Sequence, residues 1–200
     1  MKEKKSYFDV YELGTIALFA LGSALLNTYL PIKAFTQWLG VPGPAAGMAL
    51  LGGFIFVFWV ALAHAMIKKK YAGIVTALLT ASFCLLIAPW YGIVSPIWFG
   101  VYAIVALLSM AAFVELTASE SSKSKSKFRG VTGGGLGNVA CLWITWIAIG
   151  VHAGAWAPPK WAPILILAAF VSGCVGSLMA YWITKTFLQA KSFTNQKNKL

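Results

Sequence analysis

Long apolar runs broken by short charged or Pro/Gly-rich segments set the pattern of this chain, and they predict helices rather than strands. Six runs are long enough for spans of about 20 residues. They lie at about 13–30, 45–67, 71–88, 97–116, 135–153 and 163–188. Pro31 stops the first, Lys68-Lys69-Lys70 closes the second and Pro89 ends the third. The sharpest change in composition falls at 118–130, where serines alternate with Lys123, Lys125 and Lys127, and this stretch reads as a flexible linker. The glycines at 130, 133, 134, 135 and 137 then lead into the fifth span. Their run lacks the Gly-Lys-Ser/Thr ending and the preceding strand of a phosphate loop, so it is expected to be a flexible but tightly packed helix start. Residues 32–44 are a connection that is either an interfacial helix or a lid.

Within the first run, Ala17, Ala20, Ala24 and Asn27 recur three and four residues apart and share one helical face. Small faces let helix backbones approach closely in lipid, and Ala20-x-x-x-Ala24 is a small-xxx-small pair. Taken alone, these residues favour packing against a neighbouring helix of the same chain.

Composition makes the class plain. The chain has 200 residues, 60% of them hydrophobic and only 10% charged, with a mean hydropathy of +0.78. The expected architecture is all-α, a six-helix transmembrane bundle forming a single integral membrane domain over 1–200. The net charge of +11 is gathered at span ends rather than on a soluble face with aromatic platforms, which argues against nucleic acid. With the N-terminus in the cytoplasm, every basic residue except Lys33 and Lys160 falls on the inner side, and so do Glu3, Asp9, Glu12, Glu115 and Glu120. The positive-inside rule therefore places both termini inside. No cleavage signal follows the first span, so no removable signal peptide is expected.

The chemistry is expected at the outer face. Trp38, Trp90, Tyr91, Trp98, Trp156 and Trp161 lie in or beside the outer connections, near Asn27, Lys33, His152 and Lys160. An aromatic belt would appear at both interfaces, yet Trp182 is the only tryptophan near the inner boundary. An outward-facing pocket explains the asymmetry, since small-molecule sites are concave and aromatic with a few polar groups. Because no carboxylate stands there, the pocket suits neutral or anionic compounds better than cations. Cys84, Cys141 and Cys174 have no metal or redox spacing and read as small core residues. His64 and His152 fall at opposite membrane faces, which leaves no bis-histidine haem site. The chain has no catalytic constellation and no ATPase motif, so it is expected to be neither an enzyme nor the holder of a cofactor or metal.

Three stretches carry a resemblance that covers nearly the whole chain: Ala20-Leu21-Gly22-Ser23-Ala24; the segment from Gly43-Pro44-Ala45-Ala46-Gly47-Met48 to Ile67-Lys68-Lys69-Lys70-Tyr71-Ala72-Gly73; and the connections at 89–96 and 154–162. With the six spans and the basic inner face, they resemble the substrate-binding membrane subunits, or S components, of energy-coupling factor (ECF) vitamin transporters. The resemblance implies capture of a vitamin-like micronutrient outside and reorientation of the subunit in a prokaryotic plasma membrane. A shared transmembrane coupling protein and two cytoplasmic ABC ATPases would drive that reorientation. It also turns the expectation for Ala17, Ala20 and Ala24 towards docking onto the coupling protein, and it makes the outer connections caps over the ligand. The relatives suggested are those for thiamine or its hydroxymethylpyrimidine precursor, although the lack of an outer carboxylate counts against thiamine. The competing expectation is an accessory or structural subunit of a larger membrane complex with no ligand of its own.

Overall fold

A computed structural model describes residues 7–40, 43–88, 92–93, 100–119, 126–154, 156 and 159–197, with side chains described except at 33, 43–44, 118–119, 126–127 and 188–197. The described residues are helical throughout apart from short turns. Four of the helices are long and apolar enough to cross a membrane, and two shorter apolar helices, Ala72–Ile87 and Val101–Thr117, accompany them. The chain is a multi-pass membrane protein built as a helical bundle.

Helix α1 (Val10–Tyr29) starts on a capping box: Asp9 Oδ1 accepts the Glu12 N–H, and the Asp9 N–H donates to the Glu12 carboxylate. These two bonds satisfy backbone donors that the first turn leaves free. After Pro31, residues 32–38 form a short helix, α2 (Ile32–Trp38), which buries Ile32 and Thr36 and leaves Phe35 and Trp38 exposed. The lid alternative for this stretch gives way to a helix.

The second span is one rod with an interruption. Helix α3 (Gly43–Gly52) passes through a π-helical turn (Gly53–Val57) into α4 (Phe58–Ile67). A π turn displaces backbone groups, and neighbours take them up here. Ser23 donates to the Ile55 carbonyl at 2.7 Å, while Ser172 donates to the Leu50 carbonyl and accepts the Gly53 N–H. Such side-chain replacement is what makes an irregular turn tolerable away from water.

Helix α5 (Ala72–Ile87) turns a narrow face inward, with Ala72, Gly73, Thr76, Ala77, Thr80, Ala81 and Cys84 buried. The two threonines return their hydroxyls to the Ala72 and Thr76 carbonyls. Helix α6 (Val101–Ser119) buries Ala103, Ala106, Leu107, Met110, Ala111, Val114 and Glu115.

Helix α7 (Ser126–Ala153) and helix α8 (Ala162–Lys197) correct the expected boundaries. The helix reaches back to Ser126, so residues 126–130 of the stretch expected to be a flexible linker are helical, and the glycine run is continuous α-helix; residues 120–125 of that stretch lie outside the described residues. Tight packing is the reason. Gly134 lies against Ser177 and the Gly173 carbonyl, Gly135 against Cys174 and Phe170, and Gly137 against the Met110 backbone. On the other side of α8, Gly176 meets the Gly53 backbone, and Gly53 meets that of Ser172. Glycine's poor helix propensity is outweighed because its missing side chain admits a neighbouring backbone. Asn138 pins the same seam by donating to the Ala169 carbonyl at 2.8 Å. Helix α8 also runs past the expected end of the sixth span into the tail.

Candidate functional site

The described site residues stand near helix ends: Asn27 in the last turn of α1, Trp38 at the end of α2, His152 at the end of α7 and Lys160 and Trp161 just before α8. Asn27, at the last turn of α1, is fully buried. Its Oδ1 accepts the Ile93 N–H at 2.9 Å, and its Nδ2 donates to Cys84 Sγ at 3.3 Å. One side chain thus ties α1 to α5 and to the connection between α5 and α6. Gly92, with φ +99, lies so close to the Asn27 amide that a Cβ has no room. Ile93 is 3% exposed and packs beside Gly47, which Ile32 of α2 also approaches.

The other expected residues sit further out. Trp38 is 80% exposed and its ring stacks on Phe35 at 6.4 Å. His152 is exposed and meets Tyr102 edge-on at 5.8 Å. Trp156 lies over Gly150, whose bare Cα makes room for its indole, and it keeps 66% of its surface exposed. Lys160 is exposed, whereas Trp161 is half-buried against the hydrophobic core. Trp90, Tyr91 and Trp98 lie outside the described residues, as does the Lys33 side chain. Of the described members, then, Asn27 is buried, Trp161 is half-buried, and Trp38, His152, Trp156 and Lys160 are exposed.

Ala20 and Ala24 have no exposed surface, and only Ala17 keeps some. Their face points into the chain's own bundle, where α1 packs chiefly on α5. Two narrow small-residue faces meet there, so the close approach that Ala-x-x-x-Ala allows is already used within the chain. Ser23 on the same face is engaged with Ile55, as described above. What α1 exposes instead is Tyr11, Leu18, Leu21, Leu25 and Tyr29.

The opposite end is built around an acid that inspection of the sequence had assigned only to the inner boundary. Glu115 is 6% exposed, and its carboxylate accepts N–H groups of Tyr71, Gly73 and Ile74 at the start of α5. His64 Nδ1 stands 3.8 Å from the same carboxylate. An anion at a helix N-terminus satisfies unpaired donors and favours the helix dipole. The turn it grips has Lys68 and Tyr71 in the left-handed region, at φ 56 and 70. Lys69 completes the cluster, reaching Glu12 at 2.6 Å and the Tyr7 carbonyl at 2.9 Å. The signal for Glu115 was present as a lone carboxylate beside an apolar run, while its partners, 41–44 residues away in sequence, were not legible.

Among the described residues no group of three His, Cys, Asp or Glu side chains could hold a metal ion. Cys84 and Cys141 are free and buried, and Cys174 is free and partly buried. An open apolar groove lies at mid-span between α3 and α8, lined by Leu50, Phe54, Ala168, Val171, Ser172 and Val175. Its one polar group, the Ser172 hydroxyl, is taken up by the backbone of the second span.

No family model matches the chain, and no curated protein matches it. A solved crystal structure does: that of an S-component of ECF transporter, similar over 96% of both chains with a TM-score of 0.67 at 18% sequence identity. The helical bundle described here, taken from end to end, has the fold of an ECF transporter S component.

Proposed function

We propose that this chain is the substrate-binding subunit of an ECF-type importer, which captures a vitamin or related micronutrient at the outer face of a prokaryotic plasma membrane. The observation that carries the reading is the likeness to an S component over nearly all of both chains. A fold alone does not fix a function, and the test below bears on the function directly. The basic clusters set the orientation: six spans, both termini in the cytoplasm, and the α2 end outward. The solute site lies at that outer end, with Asn27, Lys33, Trp38, Trp90, Tyr91, Trp98, His152, Trp156, Lys160 and Trp161 as its candidate residues. Its cations and its lack of acids favour a neutral or anionic solute.

The chain acts as a carrier, not an enzyme. Energy comes from two cytoplasmic ABC ATPases through a transmembrane coupling protein. Because Ala20 and Ala24 are enclosed, docking falls to the lipid-facing side of α1, with Ala17 at its margin.

Mass spectrometry of the gently purified protein tests the reading. A small molecule held at one per chain and released on denaturation is the expected result. A protein that is empty and co-purifies with other membrane subunits but no ATPases overturns it in favour of an accessory subunit.

A further inference from the structure

The turn between α4 and α5 is basic, and its shape is fixed. Lys68 ends α4 in the left-handed region, at φ 56, with its N–H on the His64 carbonyl at 2.9 Å, and Tyr71 opens α5 at φ 70. Glycine is the usual residue where a helix ends this way, because a side chain there is strained. Glu115 holds the far side of the turn through the N–H groups of Tyr71, Gly73 and Ile74. A lysine therefore stands where the backbone alone favours glycine.

The three lysines of the turn have different neighbours. Lys69 is engaged by the Glu12 carboxylate and the Tyr7 carbonyl, with the Tyr7 and Phe8 rings each 5.9 Å away. Lys68 and Lys70 are exposed, and no carboxylate among the described residues pairs with either. The acids nearby are committed elsewhere: Asp9 and Glu12 to the cap of α1, Glu12 also to Lys69, and Glu115 to the start of α5. Lys70 extends over the Tyr71 ring at 4.9 Å, and both Tyr71 and Met66 leave apolar surface exposed beside the lysines. At the end of a membrane span, two ammonium groups beside an apolar ledge lack an anion.

We propose that this turn docks the phosphate of an anionic phospholipid, with Lys68 and Lys70 on the headgroup and Met66 and Tyr71 at the acyl boundary. Lysines close to an anionic bilayer surface are drawn to it, and tyrosine favours the headgroup level. A turn already held in shape loses little freedom on binding. Lys68 also faces the negative end of the α4 dipole, a purely structural reason for a cation. Lys68→Gly separates the two reasons, since glycine suits the backbone and only the charge is lost.

Native mass spectrometry of the full chain in neutral detergent, titrated with phosphatidylglycerol and in parallel with phosphatidylcholine, reads the affinity for the first lipid. The parent is expected to prefer phosphatidylglycerol. K68G and K70Q are each expected to weaken that binding about fivefold, the scale of one basic residue at an anionic surface, with phosphatidylcholine unchanged. K185Q, which removes an exposed lysine of α8, stays within about twofold, the scatter of neutral substitutions. Affinities of K68G and K70Q within about twofold of the parent overturn the proposal. An equal loss in K185Q also overturns it, because the lipid then reads general basic charge and not this turn. Glycerol phosphate that displaces the lipid at similar concentration overturns the lipid as occupant in favour of a soluble phosphate. Should K68G fail to elute as a single species, K70Q decides alone.

Discussion

The two ends of this bundle are fastened in different ways. At the end with the basic turn, one carboxylate holds three backbone N–H groups and a second ties down Lys69. At the α2 end, a neutral amide, that of Asn27, accepts the Ile93 N–H. Charge-assisted bonds are roughly twice as strong as neutral ones, and a carboxylate with three donors is hard to release stepwise. Among the described contacts, the basic end is therefore held by charge-assisted bonds and the α2 end by a neutral one.

Five substitutions sharpen or break the contrast, with unfolding in detergent as the measurement. The largest effect belongs to the seam between the ends. Gly53→Ala drives a methyl into the Ser172 backbone and is expected to destabilise by about 3 kcal/mol or more. A stable Gly53→Ala protein would mean that α3 and α8 are less closely packed than described. Glu115→Ala comes next, at about 3 kcal/mol, because it strips a shared acceptor from three helix-start donors. Glu115→Gln, which keeps one acceptor oxygen, is expected to lose less. Asn27→Ala should lose at least about 1–2 kcal/mol, the scale of its bond to the Ile93 N–H and its contact to Cys84 Sγ. If Asn27→Ala proves more damaging than Glu115→Ala, the assignment of firm and yielding ends is reversed. The smallest effect is that of Glu12→Gln. The Lys69 pair is part-exposed, so about 0.5 kcal/mol is expected, fading as salt is raised. A salt-independent loss would show that Glu12 acts through its cap on α1 instead.

The apolar runs made the spans legible, because a stretch such as 45–67 has no soluble alternative. The interruption inside it was not legible, since the π turn depends on Ser23 and Ser172 from two other helices. Glycine misled in the same way. Residues 126–130 have the composition of a linker, yet they are helical, and the glycines at 130, 133 and 134 lie against Tyr181, Thr117 and the Gly173 carbonyl of neighbouring helices. The small face of α1 could be read from spacing, but spacing cannot say which surface covers it, and α5 does. At the candidate site, Asn27 stood out as an amide in register with small residues. Its partner Ile93 lies 66 positions away in a loop, where no periodic pattern points to it.

The glycine seam has a further consequence, for how this chain can vary. At Gly53, Gly134, Gly173 and Gly176 the neighbouring atoms include main chain, which no second substitution can trim away. An overfilled core of side chains can be relieved by shortening a neighbour, but a main-chain contact offers no such exchange. These four positions are therefore closed to gradual change. Saturation mutagenesis should find them tolerating glycine alone, while the exposed Trp38 and Trp156 vary freely.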